Sequence, residues 1–122
     1  MKRVVKHILS EWLSIKVNLL VKSCLRNEKK EYNIKGIYQD NKIKFQESNT
    51  LMIIDLKNNV VERIKDEETI IFDFKNSDCI IKSKELNFNF QIKVLEIKVL
   101  KDYFYVNYKI ENDDFKLEIK II

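Results

Sequence analysis

The chain has 122 residues, which is enough for one domain with a single core. Apolar residues make up 45% of it and charged residues 34%, a balance typical of a globular protein rather than of a disordered or membrane protein. The net charge is +4 and is concentrated in residues 1–35, where nine Lys or Arg face three acidic residues. Such a segment is most often a solvated face, although it also suits nucleic acid, anionic lipid or an acidic partner.

Several classes of protein are excluded by what the chain lacks. No run approaches the ~18 apolar residues of a membrane span. Lys6, His7 and Glu11 interrupt the start of the chain, so it does not resemble a signal peptide. Cys24 and Cys79 are far apart in sequence and are expected to be reduced thiols. We therefore expect a cytoplasmic protein.

No catalytic or metal-binding pattern is visible. His7 is the only histidine, so a two-histidine metal site is impossible, and one glycine cannot form a phosphate-binding loop. Two carboxylate pairs, Glu67 with Glu68 and Asp113 with Asp114, fall in predicted turns, where solvated residues are expected. The sequence thus predicts a non-enzymatic protein without a metal or a cofactor.

The first predicted element is a short amphipathic helix within residues 1–13. Packing of this helix on its own domain is favoured, because a tryptophan is costly to leave in water. It would then plug one end of the fold, and the alternatives are that it binds a partner or rests on a membrane surface. Its apolar residues recur at spacings of three and four, and they are Val4, Val5, Ile8, Leu9, Trp12 and Leu13.

After Ser14 the apolar period changes to two, which is typical of β-strands with one buried face. Asn and Asp occupy the short turns between the strands, because both tolerate left-handed backbone. No helix long enough for a parallel crossover follows, so the sheet is expected to be antiparallel. The ten predicted strands cover residues 15–22, 31–38, 42–48, 50–56, 60–65, 69–75, 79–85, 88–100, 103–111 and 115–122.

Two positions indicate how the sheet curves. In the long run 88–100, the apolar phase that starts at Phe88 shifts by one residue between Val94 and Leu95, which predicts a β-bulge or a sharp bend. Long bent strands that serve two halves of a sheet are how small barrels close. Gly36, the only glycine, lies in mid-strand, where glycine marks a bend or a close approach of backbone.

The inward-facing residues raise the question of an internal ligand. Barrels of about eight strands either fill with side chains or hold one small molecule. The number of large side chains favours a filled interior, and a small apolar ligand is the alternative. The residues that we expect in the barrel interior or against such a ligand are Phe45, Phe72, Phe74, Phe90 and Phe104.

The aromatic run 103–108, flanked by Lys101 and Lys109, resembles the stacking platforms of proteins that bind single-stranded nucleic acid. Strand alternation argues against this function, because it turns Phe104 and Tyr108 inward and leaves only Tyr103 and Tyr105 outside. Nucleic acid is therefore the less favoured partner.

Several stretches of the chain match a known family, and the best of them are 36–38 with 43–47, 60–63 with 71–74, 90–97, 108–110 and 117–119. In these stretches the chain resembles the YwiB-like family, small bacterial proteins of unknown function, and the resemblance covers most of residues 15–122. The resemblance implies a calycin-like β-barrel, and it implies no active site.

Arg63 lies in mid-strand within one of these matching stretches. A strand arginine often requires a carboxylate or an anionic ligand, so Arg63 is a candidate anion contact. The favoured interpretation, however, is an outward charge paired with a neighbouring acid such as Asp73.

These patterns predict one all-β domain over residues 1–122, with a short helix in 1–13 and strands in 15–122. The expected architecture is an antiparallel up-and-down calycin-like barrel of about 8–10 strands. The expected function is a cytoplasmic binding module for a small apolar ligand or a protein partner, present as a monomer or a homodimer. The alternative is binding of single-stranded nucleic acid through the basic N-terminal third and residues 101–109.

Overall fold

The computed structural model describes residues 14–122. Eleven antiparallel strands in this part form one sheet that follows chain order, and the first strand, β1, lies between the second and the last. The sheet curls into a nearly closed barrel, which confirms the predicted all-β, up-and-down architecture. The predicted helix in 1–13 lies outside the described residues. No helix within residues 14–122 has the length and hydropathy needed to cross a membrane. The strands are β1 Ile15–Leu25, β2 Glu28–Gln39, β3 Lys42–Glu47, β4 Thr50–Asp55, β5 Val60–Lys65, β6 Glu68–Asp73, β7 Asp78–Lys82, β8 Asn87–Gln91, β9 Lys93–Leu100, β10 Tyr103–Ile110 and β11 Asp113–Ile121.

The predicted long strand 88–100 is divided into β8 and β9, so the sheet has eleven strands instead of the expected 8–10. This run also brings the two edges of the sheet together. β8 pairs with β7, whereas β9 pairs with β10 at the other end of the strand order. Only Ile92 separates the two strands; it is buried, and its N–H donates to the carbonyl of Ser77 at 2.9 Å. One continuous run of chain therefore changes sheet partner and closes the barrel.

The predicted β-bulge is also present in this run. Val94 pairs with Tyr108 and Glu96 pairs with Asn107, so that Leu95 is the extra residue on β9. Its side chain is 44% exposed, which explains why the apolar phase shifts by one at this position.

The turns adopt left-handed backbone without glycine. Asn41, Asn59 and Asp66 all have positive φ, as predicted for Asn and Asp, because their side chains satisfy this conformation at low cost. The β4–β5 and β6–β7 turns also share one hydrogen-bonding pattern. The carboxylates of Asp55 and Asp73 each accept hydrogen bonds from two backbone N–H groups of the turn that follows, at 3.0–3.2 Å.

Gly36 marks a close approach of neighbouring chain. It has no positive φ, so conformational freedom is not the reason for glycine here. A Cβ atom at this position would lie 2.7 Å from Cδ1 of Leu19 and 2.7 Å from the backbone carbonyl of Lys44. The backbone oxygen belongs to the neighbouring strand β3 and cannot move as a side chain does. Of the two predicted reasons for this glycine, close approach is confirmed.

We predict that Gly36→Ala lowers the free energy of unfolding by about 1–3 kcal/mol, the usual cost of overpacking a well-packed interior. Urea denaturation measures this loss. Lys35→Ala is the matched control, because Lys35 is an exposed neighbour on the same strand and should change stability by less than about 0.5 kcal/mol. Equal stability of the two variants would show that the backbone at residue 36 has room to move.

The middle of the barrel is filled by side chains. The rings of Phe74 and Phe104 pack with their centroids 6.2 Å apart, and Phe74 also lies 5.1 Å from Tyr108 on the facing wall. The thiol of Cys79 is buried in the same core, and burial raises its pKa to about 11. Completely buried residues on several strands complete this layer, and they include Leu19, Ile43, Ile54, Val61, Val106 and Ile119.

The two cysteines should therefore react very differently with a thiol reagent. At pH 8, Ellman's reagent should modify Cys24, which is partly exposed, while Cys79 stays protonated and inaccessible. We expect one rapidly reacting thiol in the native protein and two in denaturant. Cys24→Ser should remove the rapid phase, and loss of that phase in Cys79→Ser instead would contradict this packing.

Candidate functional site

A cavity of about 290 Å³ lies at the barrel end that carries the β1–β2 and β3–β4 turns. Its apolar wall is formed by buried rings, among them Phe45, Phe72 and Phe74. Its opposite part contains exposed or half-buried polar side chains, so it opens to solvent there. The residues that contribute polar atoms to this opening include Ser23, Lys30, Tyr32, Glu47, Thr50 and Arg63.

Arg63 lies on the inward phase of β5. It shares this phase with the buried Val61, and its backbone partner on β4 is the buried Met52. The side chain lines the cavity and is exposed at its opening. Asp73, the acid expected to pair with an outward Arg63, instead bonds within its own turn, to the side-chain amide of Asn76 at 2.8 Å. The outward interpretation is wrong, and the guanidinium belongs to the cavity opening.

Glu47 is the centre of a polar cluster at the same opening. Its carboxylate accepts a hydrogen bond from the hydroxyl of Tyr32 at 2.6 Å, and it forms an ion pair with the ammonium group of Lys30. Strands β2 and β3 turn all three residues towards the same end of the barrel. The cluster therefore fixes the geometry of one side of the opening.

The electrostatics of this cluster favour the ionised form of Glu47. Burial by itself would raise the pKa of the Glu47 carboxyl. The hydrogen bonds from Lys30 and Tyr32, together with the charges of Lys30 and Arg63, outweigh burial and lower this pKa below its usual value. The pKa of Tyr32 is raised, first by burial and then by its hydrogen bond to Glu47. At neutral pH the cluster consists of a carboxylate, an ammonium group and a neutral phenol.

A lowered pKa in the folded state means that Glu47 stabilises the fold when it is ionised. This stabilisation is complete above the unfolded-state pKa of about 4.3 and is lost as pH falls through the lower folded-state pKa. We predict that Glu47→Gln lowers the free energy of unfolding by about 1 kcal/mol at pH 7. The loss is no larger because the group is partly exposed to solvent. The difference in unfolding free energy from wild type should shrink below about pH 4. Urea denaturation at pH 7 and pH 3 measures both values.

Glu31→Gln is the control for this prediction, because Glu31 is exposed and forms only a 3.8 Å ion pair with Lys22. Its unfolding free energy should stay within about 0.5 kcal/mol of wild type at both pH values. A Glu47→Gln difference that is unchanged between pH 7 and pH 3 would contradict the ionised cluster.

Tyr108 contributes a hydroxyl group to the same cavity from strand β10. Its ring is stacked on Phe115 at 5.3 Å and tilted against Phe74 at 5.1 Å, so its position is fixed by packing. The residue is only 7% exposed. Burial raises the pKa of Tyr108, while the positive charge of Arg63 lowers it by a smaller amount. The phenol is therefore neutral, and its hydroxyl can donate a hydrogen bond.

The structure separates the five phenylalanines named from the sequence. Phe45, Phe72 and Phe74 line the cavity. Phe104 is fully buried in the filled middle, and Phe90 is half-buried beside Cys79, its backbone partner on β7. The cavity is thus built by three of the five, and the other two complete the core.

Among the polar residues of the cavity that the sequence does not indicate as site candidates are Lys30, Tyr32, Glu47 and Tyr108. Their positions in the strands could identify them from the sequence, because each lies on the inward phase of its strand. Glu47, for example, follows the buried Ile43 and Phe45 at two-residue spacing. A charged residue on the apolar phase at the end of a strand is the pattern that identifies such an opening.

Strand β10 contains the aromatic run considered for nucleic-acid binding, and its inward and outward residues are those that strand alternation predicts. Phe104 and Tyr108 face the core, and Tyr103 and Tyr105 lie on the outer face. The hydroxyl of Tyr103 donates to Glu118 at 2.6 Å, an acidic neighbour that does not suit a phosphate backbone. Binding of nucleic acid stays a prediction without a further observation in its favour.

The comparisons with known proteins concern the fold alone. No family model matches the chain, and no curated protein matches it. The solved structure of the YwiB protein from Bacillus subtilis is similar, with a TM-score of 0.52 and 12% sequence identity over 88% of this chain and 91% of that one. The fold of this chain is similar to that of YwiB, as the sequence resemblance predicts.

Proposed function

We propose that this barrel is a non-enzymatic binding protein for a small, predominantly apolar molecule held at one end of its interior. The observation that carries the proposal is the cavity of about 290 Å³, which has an aromatic wall and opens through polar side chains. Small-molecule sites combine an apolar lining with a few placed polar groups in this way.

The size of the cavity limits the size of the ligand. An apolar cavity of about 150 Å³ holds benzene, which has six non-hydrogen atoms. A cavity of about 290 Å³ therefore accommodates a molecule of roughly twelve such atoms. This volume lies at the lower limit of the usual range for ligand pockets, about 300–1,000 Å³.

Apolar contact supplies the affinity in this proposal. Phe45, Phe72 and Phe74 are buried by their neighbours, and Phe72 and Phe74 present stacked rings 5.9 Å apart to the cavity. A ligand held against these rings removes its own apolar surface from water at a gain of about 25 cal/mol per Å². The calycin-like classification and the cytoplasmic location implied by the sequence are part of the same proposal, and two unpaired thiols suit a reducing compartment.

The proposal is tested with 1-decanol, which has eleven non-hydrogen atoms, by isothermal titration calorimetry. We predict saturable binding of one molecule to the wild type and a loss of at least about tenfold in affinity in Ser23→Phe. Ser23 lines the cavity on β1, so a phenyl ring at this position occupies the space that the ligand needs.

Asn33→Phe is the matched control, because it adds the same ring on the exposed outer face of β2. It should bind decanol as the wild type does. Circular dichroism and thermal unfolding show whether both variants are folded. Equal decanol affinity in the Ser23→Phe and Asn33→Phe variants would place the binding outside the cavity and overturn the proposal.

A further inference from the structure

Arg63 brings a positive charge to the cavity opening that no acidic side chain neutralises directly. In the described part of the chain no ion pair within 4.0 Å includes Arg63, although its charge acts on Glu47, Tyr32 and Tyr108. Glu47 is already engaged by Lys30 and Tyr32. The guanidinium, with its planar set of five N–H donors, is therefore available to an incoming group.

Tyr108 supplies a second polar group beside Arg63. It lines the cavity, and its phenol lies close enough to Arg63 for the positive charge of the guanidinium to lower its pKa. A phenol hydroxyl at the cavity wall can donate a hydrogen bond to an acceptor of the ligand. The rings of Phe74 and Phe115 pack against the Tyr108 ring and fix its position.

The charge balance of the opening selects the kind of acceptor. The charged side chains that line the cavity are Lys30, Glu47, Arg63 and Lys116. Lys30 and Glu47 form an ion pair, which leaves the positive charges of Arg63 and Lys116. This positive balance favours an anionic group, and a carboxylate matches the fork of the guanidinium.

We infer that the ligand of this cavity is an amphipathic carboxylic acid whose carboxylate is bound by Arg63 and Tyr108 while its apolar body lies against Phe45, Phe72 and Phe74. This inference rests on the proposed function and adds the chemical class of the ligand. The guanidinium donates to the carboxylate oxygens, and the Tyr108 hydroxyl donates one more hydrogen bond.

Decanoate, with twelve non-hydrogen atoms, and 1-decanol form a matched pair of probes that differ in the head group. Calorimetry of the wild type at pH 7.5 should give decanoate an affinity at least about tenfold higher than that of decanol, the value of one good charge-assisted hydrogen bond. Decylamine, which carries the opposite charge on the same chain, should bind more weakly than decanol.

Two variants test whether Arg63 and Tyr108 cause the preference for decanoate over decanol. Arg63→Gln should remove the advantage of decanoate over decanol. Tyr108→Phe keeps the packed ring and should reduce that advantage several-fold. Both variants are checked for folding by circular dichroism before titration.

Arg26→Gln is the charge-matched control. Arg26 is exposed in the β1–β2 turn and pairs with Asp113 at 3.2 Å, outside the cavity lining, so this variant removes the same charge from the protein as a whole. It should retain the full preference for decanoate. An equal loss in Arg26→Gln and Arg63→Gln would assign the preference to net charge and overturn the inference.

The outcomes also separate the two proposals. Binding of decanol and decanoate with equal affinity, unaffected by Arg63→Gln, overturns the carboxylate inference and leaves the apolar cavity standing. Absence of saturable binding for both probes overturns the proposed function itself. Binding of decanoate with the stated dependence on Arg63 and Tyr108, lost in Ser23→Phe, supports both.

Discussion

The closed interior of this protein depends on residues 88–100, a run of chain that changes its pairing strand from β7 to β10 halfway along. β8 completes one edge of the sheet and β9 completes the other, and a single buried residue, Ile92, joins them. If the run paired along its whole length with β7, the sheet would remain open and its inner face would meet water. The bulge at Leu95 belongs to this constraint, because it restores the inward phase of Ile97 and Val99 after the bend.

Once closed, the barrel has one filled region and one unfilled end, and the difference follows from side-chain size and polarity. Aromatic and branched side chains meet across the middle, where Phe74 contacts Phe104 and Tyr108. Towards the β3–β4 turn the same inward phase holds Glu47 and Arg63, whose charged groups remain near water. Charged residues on an apolar phase cannot pack to the barrel axis, so the space between them and the rings stays open.

Much of this architecture could be predicted from the sequence, because strand alternation is a local property. The ten predicted runs match the observed strands closely, and the phase shift in 88–100 identified the position of the bulge. The polar site was harder to predict. The sequence indicates Arg63 as a candidate anion contact, but Glu47 and Tyr108 lie on other strands, and only the curvature of the sheet brings the three residues to one cavity. Alternation determines which face a residue occupies and contains no information on which strands meet across the barrel.

The ladder between β1 and β11 has a consequence for biosynthesis. Every other ladder of the sheet joins strands that follow each other in sequence, whereas β1 must wait for β11, which the ribosome makes after the ten other strands. During that time the backbone groups of β1 that face β11 form an exposed edge, the kind of surface that promotes association between chains. Folding of the complete barrel is therefore a late event with a long-range closing step. Chaperone demand during translation should depend more on this one ladder than on any of the hairpins.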